Sequence, residues 1–200
     1  METWVDHHNH LPCLAHNLLN KQVKSSYHKD RREPVFGLIS YNLLMYNYAP
    51  PDYVCPICLG VQGIESDQTL IRQSDVVYKD DAVMVFVASY FIGNNPGHLI
   101  VVPLQHFEHL YDLPDEVGAH IFSVARTYSI IMRNAYGCEG VTTVQNNGPA
   151  AGQHAFHYHL HLFPRYLEDD IYAFMNAKRE TSPEERLIFS EKIRKCDSSG

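Results

Sequence analysis

Positive charge is scarce in this chain: 16 Lys and Arg stand against 23 Asp and Glu, a formal net charge of −7 at pH 7. Broad binding to DNA or RNA draws on clustered cations, so the deficit argues against a nucleic-acid partner. No stretch approaches the roughly 20 apolar residues that a membrane span needs. The opening segment, METWVDHHNHLPCLAHNLL, lacks a basic region followed by an apolar run. These absences predict a cytoplasmic protein with no membrane partner. The 5 cysteines are an odd number without a secretion signal, which argues against a disulfide framework and for thiols or metal ligands. No internal repeat or long low-complexity tract interrupts the sequence.

What is present is ordinary for a soluble globular protein: 200 residues, 45% hydrophobic and 20% charged. That length accommodates one well-filled core with additions. Residues 1–52 read as an N-terminal extension packed on the core. It has a short helix near Leu14–Lys21 and an apolar island at Val35–Ile39, and it closes at Ala49-Pro50-Pro51-Asp52. The Asp6–His10 run, DHHNH, reads as a solvated terminus rather than a metal site.

Five strands follow. Val76–Lys79 and Ala82–Ala88 form a hairpin around Asp80-Asp81. Leu99–Pro103 comes after the Asn94-Asn95-Pro96-Gly97 turn, Gly140–Asn146 is rich in β-branched residues, and His154–Phe163 is the fifth. Between the third and fourth, Val117, Ile121, Val124, Ala125, Tyr128 and Ile131 recur at helical spacing. They predict a core-facing helix of about 20 residues from Pro114 to Tyr136-Gly137. Ser182-Pro183-Glu184-Glu185 starts a second helix that runs to about Cys196. The elements together give an α+β fold with an antiparallel sheet.

The 13 histidines are many for this length, and three stand in His157-Tyr158-His159-Leu160-His161. On a strand, alternate side chains share a face, so the three imidazoles line one side while Tyr158, Leu160 and Leu162 line the other. The preceding loop, Asn146–Gln153, is rich in groups that hydrogen-bond or let the backbone approach a ligand. A half-exposed strand explains one histidine better than three. Periodicity alone leaves a three-histidine metal centre and phosphate chemistry both open. Cys55-Pro56-Ile57-Cys58 has the spacing that lets two thiolates reach one zinc ion, although redox sites share it. With no second pair, a zinc there needs two histidines from elsewhere.

His157-Tyr158-His159-Leu160-His161-Leu162-Phe163 resembles the signature of the histidine triad family, in which three histidines alternate with apolar residues. The likeness extends to Val76–Phe86, similar to the family's first hairpin, and to Asn95–Pro114, similar to its strand-to-helix segment. It implies a family domain over residues 53–175, with a five-stranded antiparallel sheet and one long helix, and a C-terminal helix and tail over 176–200. The resemblance further implies that His159 is a nucleophile, forming a nucleotidyl-histidine at the α-phosphate of a dinucleoside polyphosphate, nucleoside phosphoramidate or adenylylated substrate. Asn146, Gln153, His154 and His161 then contact phosphate oxygens or the leaving group. Zinc-containing members complete the cysteine site with histidines that match His106 and His157, giving a closed structural zinc. His98 is a competing ligand whose better role is positioning the turn. Relatives often place Asp or Asn at the end of the second strand to bind ribose. Here that segment carries a two-residue insertion and no acid, so Phe86, Ser89 and Tyr90 are the nucleoside-side candidates. A two-fold homodimer is also implied. A non-catalytic nucleotide-binding or interaction module of the same fold is the alternative.

Overall fold

The computed structural model describes residues 47–174 and 177–198. The expectations for Leu14–Lys21, Val35–Ile39 and Asp6–His10 lie outside the described residues. The first described element is a short helix, α1 (Pro56–Val61), capped by Cys55, whose sulfur accepts the Cys58 N–H at 3.3 Å. Proline at the first helical position suits this start, since its missing N–H is one the helix leaves unpaired there.

Strands β1 (Val76–Lys79) and β2 (Val83–Val87) form the expected hairpin. Its turn is built by Asp80, whose Oδ1 accepts the backbone N–H groups of Ala82 and Val83, both at 2.8 Å. β3 (Tyr90–Ile92), β4 (Leu99–Pro103), β5 (Gly140–Val144), β6 (Leu160–Arg165) and β7 (Lys178–Glu180) follow. The main sheet has the order β1-β2-β4-β6-β5, all antiparallel, while β3 and β7 pair as a separate antiparallel ribbon. The ribbon and α1 are too short to show a period in the sequence.

The fifth expected strand, His154–Phe163, is displaced: regular pairing begins only at Leu160 and continues to Arg165. Ahead of it the chain is committed elsewhere, with the Tyr158 N–H donating to the Phe107 carbonyl and the His157 ring to that of Pro103. Pro164 is tolerated inside β6 because pairing with β4 ends at Leu162, so no partner waits for its absent N–H on that side.

One face of the sheet carries Val85, Val101, Leu160 and Leu162. They pack against Ile121, Val124, Tyr128 and Ile131 of α2 (Asp115–Tyr136) and Ile193 of α4 (Pro183–Asp197). Each such fully buried side chain contributes roughly 1.5–3 kcal/mol. α2 stops where expected, at Gly137, whose φ of 68° is readily reached without a Cβ. The opposite face carries Met84, Phe86 and Val102 against Ile57, Val61 and Ile71. A short helix, α3 (Ile171–Phe174), follows β6. α4 starts as expected, with Ser182 Oγ accepting the Glu185 N–H at 3.2 Å. None of the helices among the described residues is long and apolar enough to cross a membrane.

A buried ion pair joins the C-terminal helix to the rest. Arg186 Nε lies 2.9 Å from Asp75 Oδ1, with 3% and 0% of the two side chains exposed. The same guanidinium donates to the carbonyls of Thr181 and Leu70. Removing one partner of such a pair leaves a buried charge uncompensated, at a cost of about 3–5 kcal/mol. Arg186→Ala is therefore expected to lose that much in denaturant unfolding, and Asp75→Leu with Arg186→Met less than the single change. A loss below about 1 kcal/mol for Arg186→Ala would contradict the anchoring role.

Candidate functional site

The extended run into β6 alternates as the sequence predicts. Tyr158, Leu160 and Leu162 enter the core beside α2, and the three histidines take the other side. They reach different places along it. His157 is fully buried, and its Nε2 lies 3.0 Å from the Pro103 carbonyl oxygen. A carbonyl only accepts, so Nε2 carries the proton and Nδ1 keeps its lone pair.

That Nδ1 lies 3.5 Å from Cys55 Sγ and 3.4 Å from Cys58 Sγ, and His106 Nδ1 lies 3.3 Å from Cys58 Sγ. All four donor atoms fall within 4.8 Å of one another. Ligand atoms on a tetrahedron with bonds of about 2.0–2.3 Å stand roughly 3.3–3.8 Å apart, so the group fits a zinc-sized ion. The proton on His157 Nε2 meets a carbonyl, an outer-shell arrangement that fixes the tautomer a ligand needs. Burial and the neighbouring Cys55 push the Cys58 thiol up to about 12. Two adjacent thiols do not both ionise unless a cation joins them. His98 lies away from this group, in the wall of the cavity beside it.

His159 is 8% exposed and points into that cavity. Its Nδ1 donates to the His157 carbonyl oxygen at 2.7 Å, which leaves the Nε2 lone pair available. Burial lowers its pKa below the usual imidazole value, with the nearby His154 acting in the same direction, so the ring stays neutral at pH 7. The His161 ring is centred 4.9 Å away, and the His98 ring lies 5.4 Å from His161 and 4.4 Å from Phe163. Burial also lowers both of these, His98 to about 3. The Nδ1 atoms of His98 and His161 are buried without a hydrogen-bond partner among the described residues. Buried polar atoms in that condition are the ones a polar ligand satisfies.

The cavity has a volume of about 700 Å³, within the range of small-molecule sites. Strand register builds its floor: Phe86 pairs with Ile100, Ile100 with His161, and His161 with Val144, a row across four strands. Of the residues singled out in the sequence, His159, His161, Asn146, His154, Phe86, Ser89 and Tyr90 all line it. Gln153 does not. It is 2% exposed, its Nε2 donating to the Glu108 carbonyl and its Oε1 accepting the Gly148 N–H, at 2.6 and 2.7 Å. It holds the Gly148–Gln153 loop in shape. That loop also needs Gly148, where φ is 78° and an added Cβ would lie 2.9 Å from the Tyr48 ring. Lining residues absent from the sequence reading include Ile92 of β3, the Asp67–Ile71 loop and Lys178 of β7. None sits in a periodic pattern or motif that marks it.

The family model described as the HIT domain matches residues 71–168. The chain is 35% identical over 94 residues to "Protein hit" of Bacillus subtilis, covering 47% of this chain and 63% of that protein. It therefore spans less than two thirds of that relative. An uncharacterised HIT-like protein of Saccharolobus solfataricus is 33% identical over 132 residues, covering 66% and 88% of the two chains. An adenylylsulfatase of Arabidopsis thaliana is 30% identical over 105 residues, 52% of each chain. The Dictyostelium discoideum bis(5'-adenosyl)-triphosphatase is 27% identical over 123 residues, covering 59% and 81%. Among solved structures, a zinc-bound histidine triad family protein from Mycobacterium smegmatis superposes with a TM-score of 0.55 at 24% identity, covering 73% and 97%. A HIT family protein from Bacillus anthracis gives 0.50 at 35% identity, covering 58% and 76%. The alternating histidines beside a cavity, the five-stranded sheet and these matches agree: the chain belongs to the histidine triad (HIT) family.

Proposed function

We propose that this protein hydrolyses or transfers the nucleotidyl group of a nucleotide substrate through a covalent intermediate on His159. The observation that carries the reading is the 2.7 Å bond from His159 Nδ1 to the His157 carbonyl, which leaves a neutral Nε2 facing the cavity. Relatives named as an adenylylsulfatase and a dinucleoside triphosphatase support a nucleotide substrate. In the first step Nε2 attacks the α-phosphorus, and the bond to the leaving group breaks with its electron pair going to that group. In the second, water or phosphate attacks the phosphoramidate, the electron pair returns to Nε2, and the nucleophile's proton is released. His161 and Asn146 donate to phosphate oxygens, and His154 donates to phosphate or to the leaving atom. Gln153 acts through the loop it braces.

Cys55, Cys58, His106 and His157 hold a structural zinc in this reading. Four protein ligands leave no open position, so the ion supplies rigidity rather than activated water. A cytoplasmic location keeps the two thiols reduced for that task. Among the described residues β5 stands at the edge of the sheet, and pairing it with the same strand of a second copy across a two-fold axis gives a homodimer.

His159→Asn is expected to lower turnover of dinucleoside polyphosphates and nucleoside phosphoramidates at least about 1,000-fold, with AMP affinity changed only a few fold by calorimetry. Full turnover in that variant would refute the nucleophile. Metal analysis of purified protein is expected to find one zinc per chain, and Cys55→Ser to lose it and melt several degrees lower. No metal, together with an unchanged melting temperature in the variant, would remove the zinc from the account. Sizing in solution should give twice the chain mass, and a monomer would contradict the dimer.

A further inference from the structure

Among the described residues, the charged side chains that line the cavity, imidazoles apart, are Asp67 and Lys178. Lys178 lies beyond the span matched to the HIT domain, which ends at residue 168. It reaches the cavity because β7 pairs with β3, Lys178 standing opposite Ile92 and Glu180 opposite Tyr90. Alternation puts Tyr90, Ile92, Lys178 and Glu180 on one face of the ribbon, and three of these four line the cavity. Phe91 goes to the other face, where it packs on Phe189 of α4. Ile92 packs with Phe163, which stacks on His161 at 5.5 Å, so the ribbon continues the wall that holds the histidines.

The ribbon is firmly seated. Both the N–H and the hydroxyl of Thr181 donate to the Ser89 carbonyl at 3.0 Å, and Arg186, itself paired with Asp75, holds the Thr181 carbonyl. The Lys178 ammonium lies 5.4 Å over the Tyr90 ring and makes no ion pair among the described residues. Glu180, on the same face, instead accepts the Tyr90 hydroxyl at 3.2 Å. An ammonium on a seated strand, resting on an aromatic face and opening into a substrate cavity, is suited to an anion.

We infer that Lys178 binds a second anionic group of the substrate besides the phosphate attacked by His159, which gives the Tyr90 end of the cavity to that anion and leaves Phe86 and Ser89 as the nucleoside side. This rests on the nucleotidyl-transfer reading and narrows it. Substrates that bear a phosphate chain or a sulfate next to the α-phosphate are preferred over those with a neutral amine there. Phosphate and sulfate share the chemistry that an ammonium recognises.

The test compares the full-length protein with Lys178→Met, which keeps the stem and removes the charge, and Lys178→Arg, which restores it. Three substrates separate the outcomes: diadenosine triphosphate, adenylyl sulfate and adenosine phosphoramidate. Lys178→Met is expected to raise KM about tenfold for the phosphate-chain or the sulfate substrate, with the more affected one naming the anion. KM for the phosphoramidate stays within about twofold, Lys178→Arg recovers most of the loss, and added salt shrinks the difference. An equal rise for all three substrates, or no rise for any, overturns the inference. If wild-type protein turns over none of them, the nucleotidyl-transfer reading fails separately. ADP and AMP binding by calorimetry then decides Lys178: a wild-type preference for ADP that Lys178→Met loses supports the inference, and an unchanged preference overturns it.

Discussion

The hydrogen bond from His159 Nδ1 to the His157 carbonyl oxygen joins the two halves of the site. A neutral hydrogen bond of this kind is worth only about 0.5–1.5 kcal/mol to stability. Its effect on chemistry is larger, because it decides which ring nitrogen holds the proton and where the other one points. The carbonyl can do this only if the His157 backbone is still. His157 is held at both ring nitrogens, by the Pro103 carbonyl on one side and the Cys55 and Cys58 sulfurs on the other. The two cysteines at the start of the described chain thus act on His159 through one peptide unit, although neither lines the cavity.

The rest of the fold places that peptide unit against a cavity. One sheet face is sealed by α2 and α4, which leaves the other to carry Phe86, Ile100, His161 and Val144 as a floor. α1 and the loop leading to Ile71 form an apolar side wall with Phe86. The β3/β7 ribbon forms another wall, and Arg186 ties it to Asp75 and to the Leu70 carbonyl. The C-terminal segment is therefore part of the cavity wall as well as of the core. The histidines stand on β6 and the segment before it, while Lys178 and Ile57 sit on walls built outside the main sheet.

That division explains what the sequence made legible. The hairpin, the long helix, the capped C-terminal helix and the alternating histidines each show a local signal, such as Asp80 in a turn, Ser182 at a cap or period two at His157–His161. Cys55 and Cys58 were visible from their spacing, but joining them to His106 and His157 depended on family resemblance, since no periodicity links residues so far apart. The strand start was misplaced because the tertiary bonds of His157 and Tyr158 override local preference. Gln153 was expected at the phosphate from the family resemblance, whereas its side chain bonds to Gly148 and Glu108 and does not line the cavity. Lys178 carried no signal, because its place at the cavity comes from a three-residue strand pairing with another of the same length.

The central claim is that turnover passes through a bond between His159 and the α-phosphorus. Its most direct test is rapid quenching of the protein with diadenosine triphosphate or adenylyl sulfate, followed by mass analysis of intact and digested chain. The account predicts a transient increase equal to one AMP residue, located on the fragment that contains His159. Turnover that proceeds with no adduct at any time, or with the adduct on another residue, would contradict it.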